Sequence, residues 1–234
     1  MLRTSLTIVA LIAHAGVFFY VWLQPIHSNG VNLVVLGLLA SWVLHLWFAG
    51  GRSRRVVYGT LVALALIALP LVRDAELDRE HLRTLYVDNL RGYAGTPYVW
   101  GGEALTGIDC SGLPRSALIN ALVRHGYTRF NGRALRLAAW MLWHDASAEE
   151  LLAGYRGLTV SEERVFLIND RRTDVRPGDL AITADGVHVL VFLSATEVIQ
   201  SEPGNQVIFE RIPAKSVYCQ AKVRRVRWTV LDAP

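Results

Sequence analysis

The sequence predicts an α+β fold for the region from residue 73 onward, because helical patterns come first and short strands follow. A charged amphipathic segment begins at Arg73, and a second helical pattern begins at Cys110. Short apolar runs then alternate with glycine, aspartate and proline, which is typical of strands joined by turns. These runs occupy residues 176–183, 186–193, 196–202, 206–210 and 216–231. Helices followed by such strands favour helices packed on an antiparallel sheet.

The first 72 residues differ from the rest of the chain in hydropathy. Residues 5–23, 32–49 and 56–72 are apolar runs, each close to the ~20 residues that cross a bilayer as a helix. Tryptophan and tyrosine lie near the ends of the first two runs, as interfacial aromatic residues commonly do. The sequence therefore predicts three transmembrane helices, with residues 1–72 as a membrane anchor and the lipid bilayer as a partner.

The distribution of arginine predicts the orientation of these helices. Residues 1–72 contain four arginines and no acidic residue, and three of the four lie between residues 52 and 55. The positive-inside rule places that loop in the cytoplasm, and residues 73–234 then lie on the other side of the membrane. We therefore predict a multi-pass protein of the inner (cytoplasmic) membrane, with its second domain facing the periplasm or the outside.

The charge balance argues against nucleic-acid binding. The net charge of +4 lies wholly in residues 1–72, because the other 20 basic residues are matched by 20 acidic ones. A nucleic-acid-binding domain needs surplus positive charge on its own surface. We therefore expect no nucleic acid among the partners.

The stretch from residue 95 to residue 112 reads GTPYVWGGEALTGIDCSG and places a cysteine directly before a helical pattern. Asp109 precedes the thiol at a position suited to an N-cap. The first-turn N–H groups and the helix dipole favour negative charge at this end, so they favour a thiolate over a thiol. Cys110 is therefore a candidate nucleophile. Its helix is expected to run to about Arg124, with Gly126 as its stop.

One histidine is well placed to act as the base that a thiol nucleophile needs. His188 opens an apolar strand just after a turn, so its side chain can face the start of the cysteine helix. His144 follows two tryptophans in a helical pattern, which favours a packing role instead. The second cysteine, Cys219, lies in an alternating run, which indicates a buried structural thiol.

Four motifs in order carry a family resemblance: PYVWGG, DCSGL, PGDLAI and HVLVFL. Over about residues 78–212, the chain resembles the NlpC family of bacterial cell-wall cysteine peptidases. The resemblance implies a papain-like fold, in which the cysteine helix packs against an antiparallel sheet. It says nothing about the three apolar runs.

Carried over by position, the resemblance implies a catalytic set. Cys110 is the expected nucleophile and His188 the expected general base. The third position in the family is a polar residue on the next strand, which here is Gln200. Its side-chain oxygen is expected to accept the Nδ1–H of His188 and so to fix the tautomer. Glu202, two residues further on the same face, stays a competing candidate.

The resemblance also implies residues that surround the nucleophile. Tyr98 matches a family tyrosine whose hydroxyl lies near the thiol, and with the Cys110 N–H it is expected to stabilise an oxyanion. Asp109 and Ser111 match positions that line the substrate cleft. For Asp109, a role as N-cap alone stays an open alternative.

The sequence departs from the family pattern at two places. Pro114 lies just after the cysteine, but proline is tolerated in a first turn because those N–H groups lack intrahelical partners. The segment between Cys110 and His188 is longer than usual in the family. An insert around residues 127–170 is therefore expected to form a lid or a wall over the cleft of a domain that spans residues 73–234.

The function implied by the resemblance is that of a membrane-anchored cysteine hydrolase that cleaves amide bonds in peptidoglycan stem peptides, typically between D-glutamate and diaminopimelate. No cofactor is expected, and we find no cluster with metal-ligand spacing. Two alternatives stay open. A thiol amidase or acyltransferase on a membrane-proximal lipid or peptide would have an apolar insert open to the cleft. A non-catalytic subunit of a membrane complex would have a plugged cleft or a disulfide between Cys110 and Cys219.

Overall fold

The computed structural model describes residues 2–49, 54–170 and 174–232. The first three helices are α1 (Leu2–Trp22), α2 (Asn29–Ala49) and α3 (Arg54–Ala68), and a 3₁₀ turn follows at Leu69–Leu71. The later helices are α4 (Arg79–Gly92), α5 (Gly112–Thr128), α6 (Gly132–Trp143) and α7 (Ala148–Leu152), with a second 3₁₀ turn at Tyr155–Gly157. The strands are β1 (Glu103–Ala104), β2 (Gly107–Ile108), β3 (Thr159–Leu167), β4 (Leu180–Thr183), β5 (Val189–Ser194), β6 (Glu197–Ser201), β7 (Val207–Arg211) and β8 (Lys222–Trp228).

The prediction of transmembrane helices is contradicted. Across the described residues, no helix has both the length and the apolar character to cross a bilayer, which takes about 20 apolar residues. Helix α3, for example, has 15 residues and opens on two arginines. The predicted inner-membrane location, with a domain facing the periplasm or the outside, is therefore wrong, and a bilayer partner has no support. The apolar runs correctly indicated helices, which lie at Leu2–Trp22, Asn29–Ala49 and Arg54–Ala68.

The predicted antiparallel sheet is confirmed. Six strands pair in the order β3-β8-β4-β5-β6-β7, and every pair is antiparallel. Strands β1 and β2 form a separate small hairpin before the cysteine. Strand β3 spans Thr159–Leu167 and pairs along most of β8.

Strands β4 and β5 are buried on both faces, which explains the continuous apolar run of β5. Alternate β5 residues, Val189, Val191 and Leu193, belong to one buried apolar cluster together with residues of α4 and α5, among them Leu113. The residues between them face a second apolar cluster, which includes Leu190. Burying a side chain of this size contributes about 1.5–3 kcal/mol. This packing holds the start of α5 against the start of β5.

Helix α5 continues past its predicted end near Arg124 and includes Gly126. A Cβ at Gly126 would lie 2.5 Å from the Leu135 side chain of α6. Glycine at this position therefore allows α6 to pack closely, and it does not stop the helix. Pro114 lies in the first turn and leaves α5 unbroken, as predicted.

Candidate active site

The β1–β2 hairpin delivers Cys110 to the start of α5. A Cβ at Gly112 would lie 2.3 Å from the carbonyl oxygen of Gly102, so glycine is required for this close approach. The hydroxyl of Ser201 on β6 donates to the carbonyl of Ile108 at 2.8 Å. The residue that carries the thiol is thereby fixed between the hairpin, the helix and the sheet.

The carboxylate of Asp109 caps the start of α5. Its Oδ1 accepts the N–H groups of Ser111 at 3.0 Å and Gly112 at 2.6 Å, and the Ser111 hydroxyl at 3.1 Å. Its Oδ2 accepts the N–H of Gly101 at 2.8 Å. These bonds satisfy first-turn donors that have no partner within the helix. Asp109 and Ser111 also line the cleft described below, so the capping role and the lining role occur together.

The thiol of Cys110 is buried and protonated. Sγ donates to the carbonyl of Val187 at 3.9 Å. Burial, and then the negative charge of Asp109, raise its pKa to about 11, although the N–H groups of Val189, Ser111 and Cys110 itself act in the opposite direction. The backbone at the helix start thus favours the thiolate, as predicted, but burial is the larger effect. The resting group is a thiol.

His188 lies between the two residues whose backbone groups approach the thiol. Its own N–H donates to Oγ1 of Thr183 at 2.9 Å, and its carbonyl accepts the Thr183 N–H at 3.0 Å. The imidazole stacks on Tyr218, with ring centroids 3.7 Å apart and an angle of 22° between the planes. Burial lowers the pKa of His188 to about 4, against the opposing effect of the hydrogen bond with Gln200. The ring is therefore neutral near pH 7 and can accept a proton.

Gln200 contacts this ring through its side-chain oxygen. His188 Nε2 and Gln200 Oε1 are 2.6 Å apart, so the hydrogen bond uses Nε2 and not the expected Nδ1. Glu202 influences His188 through its charge, while its carboxylate accepts the Asn205 amide N–H at 2.8 Å. The geometry favours Gln200 over Glu202 as the residue that orients the ring.

Two tyrosines lie close enough to Cys110 for a negative charge on its sulfur to raise their pKa values. Burial raises the pKa of Tyr98 to about 12, with smaller contributions from Cys110, Asp109 and Tyr218. Burial also raises the pKa of Tyr218, again with a contribution from Cys110. The backbone N–H of Tyr98 donates to the carbonyl of Asn205 at 2.9 Å, which fixes its segment to the β6–β7 turn. Both phenols keep their protons near pH 7 and can donate hydrogen bonds.

A cleft of about 560 Å³ opens onto Cys110. One part of its lining comes from the start of α5 and from Trp100, whose side chain is 79% exposed. Another part comes from residues 145–150, within the predicted insert, and from the turn before His188. The lining is acidic, and its carboxylates are Glu103, Asp109, Asp145, Glu149 and Glu150. Glu103 and Asp145 pair with the buried Arg115, so the surplus negative charge comes from the other three. A substrate that carries positive charge suits this cleft.

The two cysteines are not linked by a disulfide. Cys110 and Cys219 are both free. Cys219 is fully buried, as predicted, and its Sγ donates to Oε2 of Glu210 at 3.2 Å. In the ranges that the structure describes, no three His, Cys, Asp or Glu side chains are arranged to hold a metal ion.

Sequence patterns did not identify the residues that contact the amide nitrogen of Gln200. Gln200 Nε2 donates to Oε2 of Glu210 at 2.6 Å, and the Ser216 hydroxyl donates to the same oxygen at 2.8 Å. Tyr218 lies in a turn between β7 and β8, within a run at residues 216–231 whose alternation predicted a strand, so its position beside His188 was not expected. A polar residue within the apolar run QVIFE was the available signal for Glu210, but its meaning depends on the register of β6 and β7.

These features together define a papain-like α+β domain: a thiol at the start of a helix, packed on an antiparallel sheet that carries a histidine–amide pair. The model of the NlpC/P60 family matches residues 95–227, which is more than half of the chain. The protein belongs to the NlpC/P60 family, whose members are typically cysteine peptidases and peptidoglycan hydrolases. The family resemblance is thus confirmed.

Comparisons with solved structures and with curated proteins add less information about the chain. The chain is similar to the NlpC/p60 domain of the peptidoglycan hydrolase SagA, with 23% sequence identity and a TM-score of 0.34. The match covers 62% of this chain and 97% of the SagA domain. No curated protein matches significantly.

Proposed function

We propose that this protein is a cysteine hydrolase that cleaves amide bonds in peptidoglycan stem peptides. Membership of the NlpC/P60 family supports the proposal. The observation that carries it is the convergence of the Cys110 thiol with the backbone on both sides of His188, at a cleft large enough for a peptide. Residues 73–234 would form the catalytic domain, with the insert at 127–170 supplying part of the cleft wall.

In the proposed first step, His188 accepts the thiol proton while the sulfur attacks the amide carbonyl. Gln200 occupies Nε2, which leaves Nδ1 as the basic atom of the ring. The raised pKa of Cys110 and the lowered pKa of His188 disfavour a thiolate–imidazolium pair before substrate binds. Proton transfer is therefore coupled to the attack, and its product is a tetrahedral oxyanion beside an imidazolium.

The backbone N–H of Cys110 and the phenol of Tyr98 are the proposed donors to this oxyanion. His188 then returns the proton to the leaving nitrogen as the C–N bond breaks, which leaves a thioester on Cys110 and a free amine. Water attacks the thioester, with His188 again as the base, and releases the carboxylic acid and the thiol.

The acidic lining of the cleft favours a substrate that carries a positively charged amino group. Asp109, Glu149 and Glu150 are among the carboxylates that line it, and opposite charges attract at close range. Stem peptides carry such groups, for example on the side chain of diaminopimelate. We therefore propose that the protein cleaves the bond between D-glutamate and diaminopimelate.

The structure gives less support to the two alternative functions. An acyltransferase acting on lipids would have an apolar insert at the cleft, whereas Asp145, Glu149 and Glu150 of the insert line it. A non-catalytic binding domain would have a plugged cleft or a disulfide, whereas Cys110 is a free thiol on an open cleft.

The test is a digest of purified peptidoglycan with the full-length protein, followed by mass spectrometry of the released fragments. We expect new fragments from the wild type and none from Cys110→Ala, and the fragment masses identify the bond. An alkylating probe with peptide mapping should label Cys110, which lines the cleft, faster than Cys219, which is fully buried and outside it. No fragments from a wild type that still reacts with the probe would refute the peptidoglycan substrate. The same fragments from Cys110→Ala would refute the nucleophile.

A further inference from the structure

We propose that Glu210 is a positioning residue of this site, whose carboxylate orients the Gln200 amide and thereby fixes the tautomer of His188. Glu210 lies on β7 and has no direct contact with the thiol. The inference rests on the proposed function, in which Nδ1 of His188 is the base. It concerns a residue beyond the Cys110, His188 and Gln200 set.

Three donors converge on one oxygen of Glu210. Oε2 accepts from Gln200 Nε2 at 2.6 Å, from the Ser216 hydroxyl at 2.8 Å and from the Cys219 thiol at 3.2 Å. A carboxylate is the side-chain group that accepts several hydrogen bonds without donating one. This oxygen is therefore a fixed acceptor that faces Gln200.

A fixed acceptor leaves the Gln200 amide a single workable orientation. If the amide were reversed, its oxygen would lie against Oε2 of Glu210 with no proton between them. With the amide nitrogen turned toward Glu210, the amide oxygen must face His188. That oxygen can only accept, so His188 Nε2 must carry the proton and Nδ1 must be the free base. Glu210 thus determines, through Gln200, which ring nitrogen can accept the thiol proton.

The register of the sheet makes this arrangement possible. Gln200 pairs with Ile208 and Val198 pairs with Glu210, so Gln200 and Glu210 are diagonal neighbours on one face of the β6–β7 pair. Diagonal neighbours in an antiparallel sheet are within reach of each other when their side chains are long. Ser216 and Cys219, from the segment after β7, close the other side of the carboxylate.

The tautomer itself can be measured without any substrate. Nitrogen-15 NMR of histidine-labelled full-length protein distinguishes an Nε2–H ring from an Nδ1–H ring, and the His188→Ala spectrum assigns the signal. We expect an Nε2–H ring in the wild type and a mixture of tautomers in Glu210→Leu. The matched control is Glu197→Leu, which removes a carboxylate from β6 that pairs with Arg91; its spectrum should match the wild type.

Kinetics provide the second readout. In Glu210→Leu we expect kcat to fall roughly 10–100-fold with KM nearly unchanged, as for other residues that orient a functional histidine. Glu210→Gln keeps an oxygen that can accept from Gln200, so it should retain most of kcat. Glu197→Leu should do the same.

Exchange of the two side chains is the sharpest variant. Gln200→Glu alone places two carboxylates against each other and should lower kcat strongly. In the double variant Gln200→Glu/Glu210→Gln, the carboxylate at position 200 can accept from His188, and the amide at position 210 can donate to that carboxylate. Its kcat should therefore exceed that of the single variant by about 10-fold. This comparison carries the test even if Glu210→Leu does not fold.

The outcomes separate the two proposals. An unchanged Nε2–H ring in folded Glu210→Leu, or a double variant no better than Gln200→Glu, would overturn the role of Glu210. A shifted tautomer in a protein whose wild type leaves peptidoglycan intact would support that role while refuting the proposed substrate.

Discussion

The two sides of the cleft are built in different ways. On the cysteine side, the Asp109 carboxylate bonds to Gly101, Ser111 and Gly112, which are all close in sequence. On the histidine side, the ring of His188 depends on Gln200 and Tyr218, which come from β6 and from the segment after β7. The cysteine side is local structure, whereas the histidine side exists only once the sheet has its register.

This difference divides the chemistry between the two sides. The cysteine side fixes where the sulfur lies, through close backbone contacts that a small change in volume disturbs. The histidine side determines which ring nitrogen of His188 carries the proton, through hydrogen bonds between side chains on neighbouring strands. A change on the first side should therefore affect folding together with activity, and a change on the second should mainly affect activity.

The largest expected effect is on the histidine side. His188→Ala removes the proposed base, and we expect kcat to fall by roughly 10²–10⁴-fold. The matched control is His144→Ala, because His144 stacks on Trp140 with centroids 4.1 Å apart and is not among the residues that line the cleft. Peptidoglycan digests at equal protein concentration measure both rates. Similar losses in the two variants would break the assignment of the base to His188.

The next effect tests the cysteine side through its backbone. An added Cβ in Gly112→Ala would meet the Gly102 carbonyl, so we expect a loss of about 1–3 kcal/mol in the free energy of unfolding, together with lost activity. Gly92→Ala is the control, since a Cβ there meets nothing within 4 Å. Urea unfolding of both variants measures the difference. A stable Gly112→Ala with full activity would show that the hairpin does not constrain the thiol.

The same division explains what the sequence could predict. Cys110 and Asp109 were found because a cysteine before a helix, preceded by an acidic residue, carries its meaning within a few residues. The Nε2 contact of His188 and the contacts of Glu210 and Tyr218 were not found, because they depend on the register of the sheet and on a turn whose alternating sequence predicted a strand. The net pKa of Cys110 was also missed, since burial is a property of the packed domain. Residues 1–72 show the reverse error, because an apolar run alone does not distinguish a membrane span from another helix.

A smaller effect concerns pH and tests the electrostatics of the histidine side. Burial lowers the pKa of His188 from 6.5 to about 4, and the ring must be neutral to accept the thiol proton. We expect the acid limb of kcat/KM to lie well below pH 6.5, with little change in rate between pH 6 and pH 8. An acid limb at or above pH 6.5 would contradict the burial of the ring in the active state.

The same shift also links His188 to stability. Its folded pKa is lower than its unfolded pKa, so the unfolded chain binds more protons between about pH 4 and pH 6.5. The contribution of the neutral His188 ring to the free energy of unfolding is therefore fully present above pH 6.5 and is lost as the pH falls toward 4. Replacement by His188→Gln should reduce the slope of unfolding free energy against pH in that window, which urea unfolding measures.

The smallest expected effect tests whether the acidic lining selects the substrate. Glu149 is exposed and lines the cleft, and a single exposed charge pair is worth about 0.2–1 kcal/mol. Glu149→Gln should therefore raise KM for an amine-bearing stem peptide by about 1.4–5-fold and leave kcat unchanged, with the difference shrinking at high salt. The control is Glu163→Gln, which removes the same charge from an exposed position on β3 outside the cleft. Equal changes in KM for both variants would mean that the cleft attracts its substrate through the charge of the whole domain, and that the insert contributes shape but no local selection.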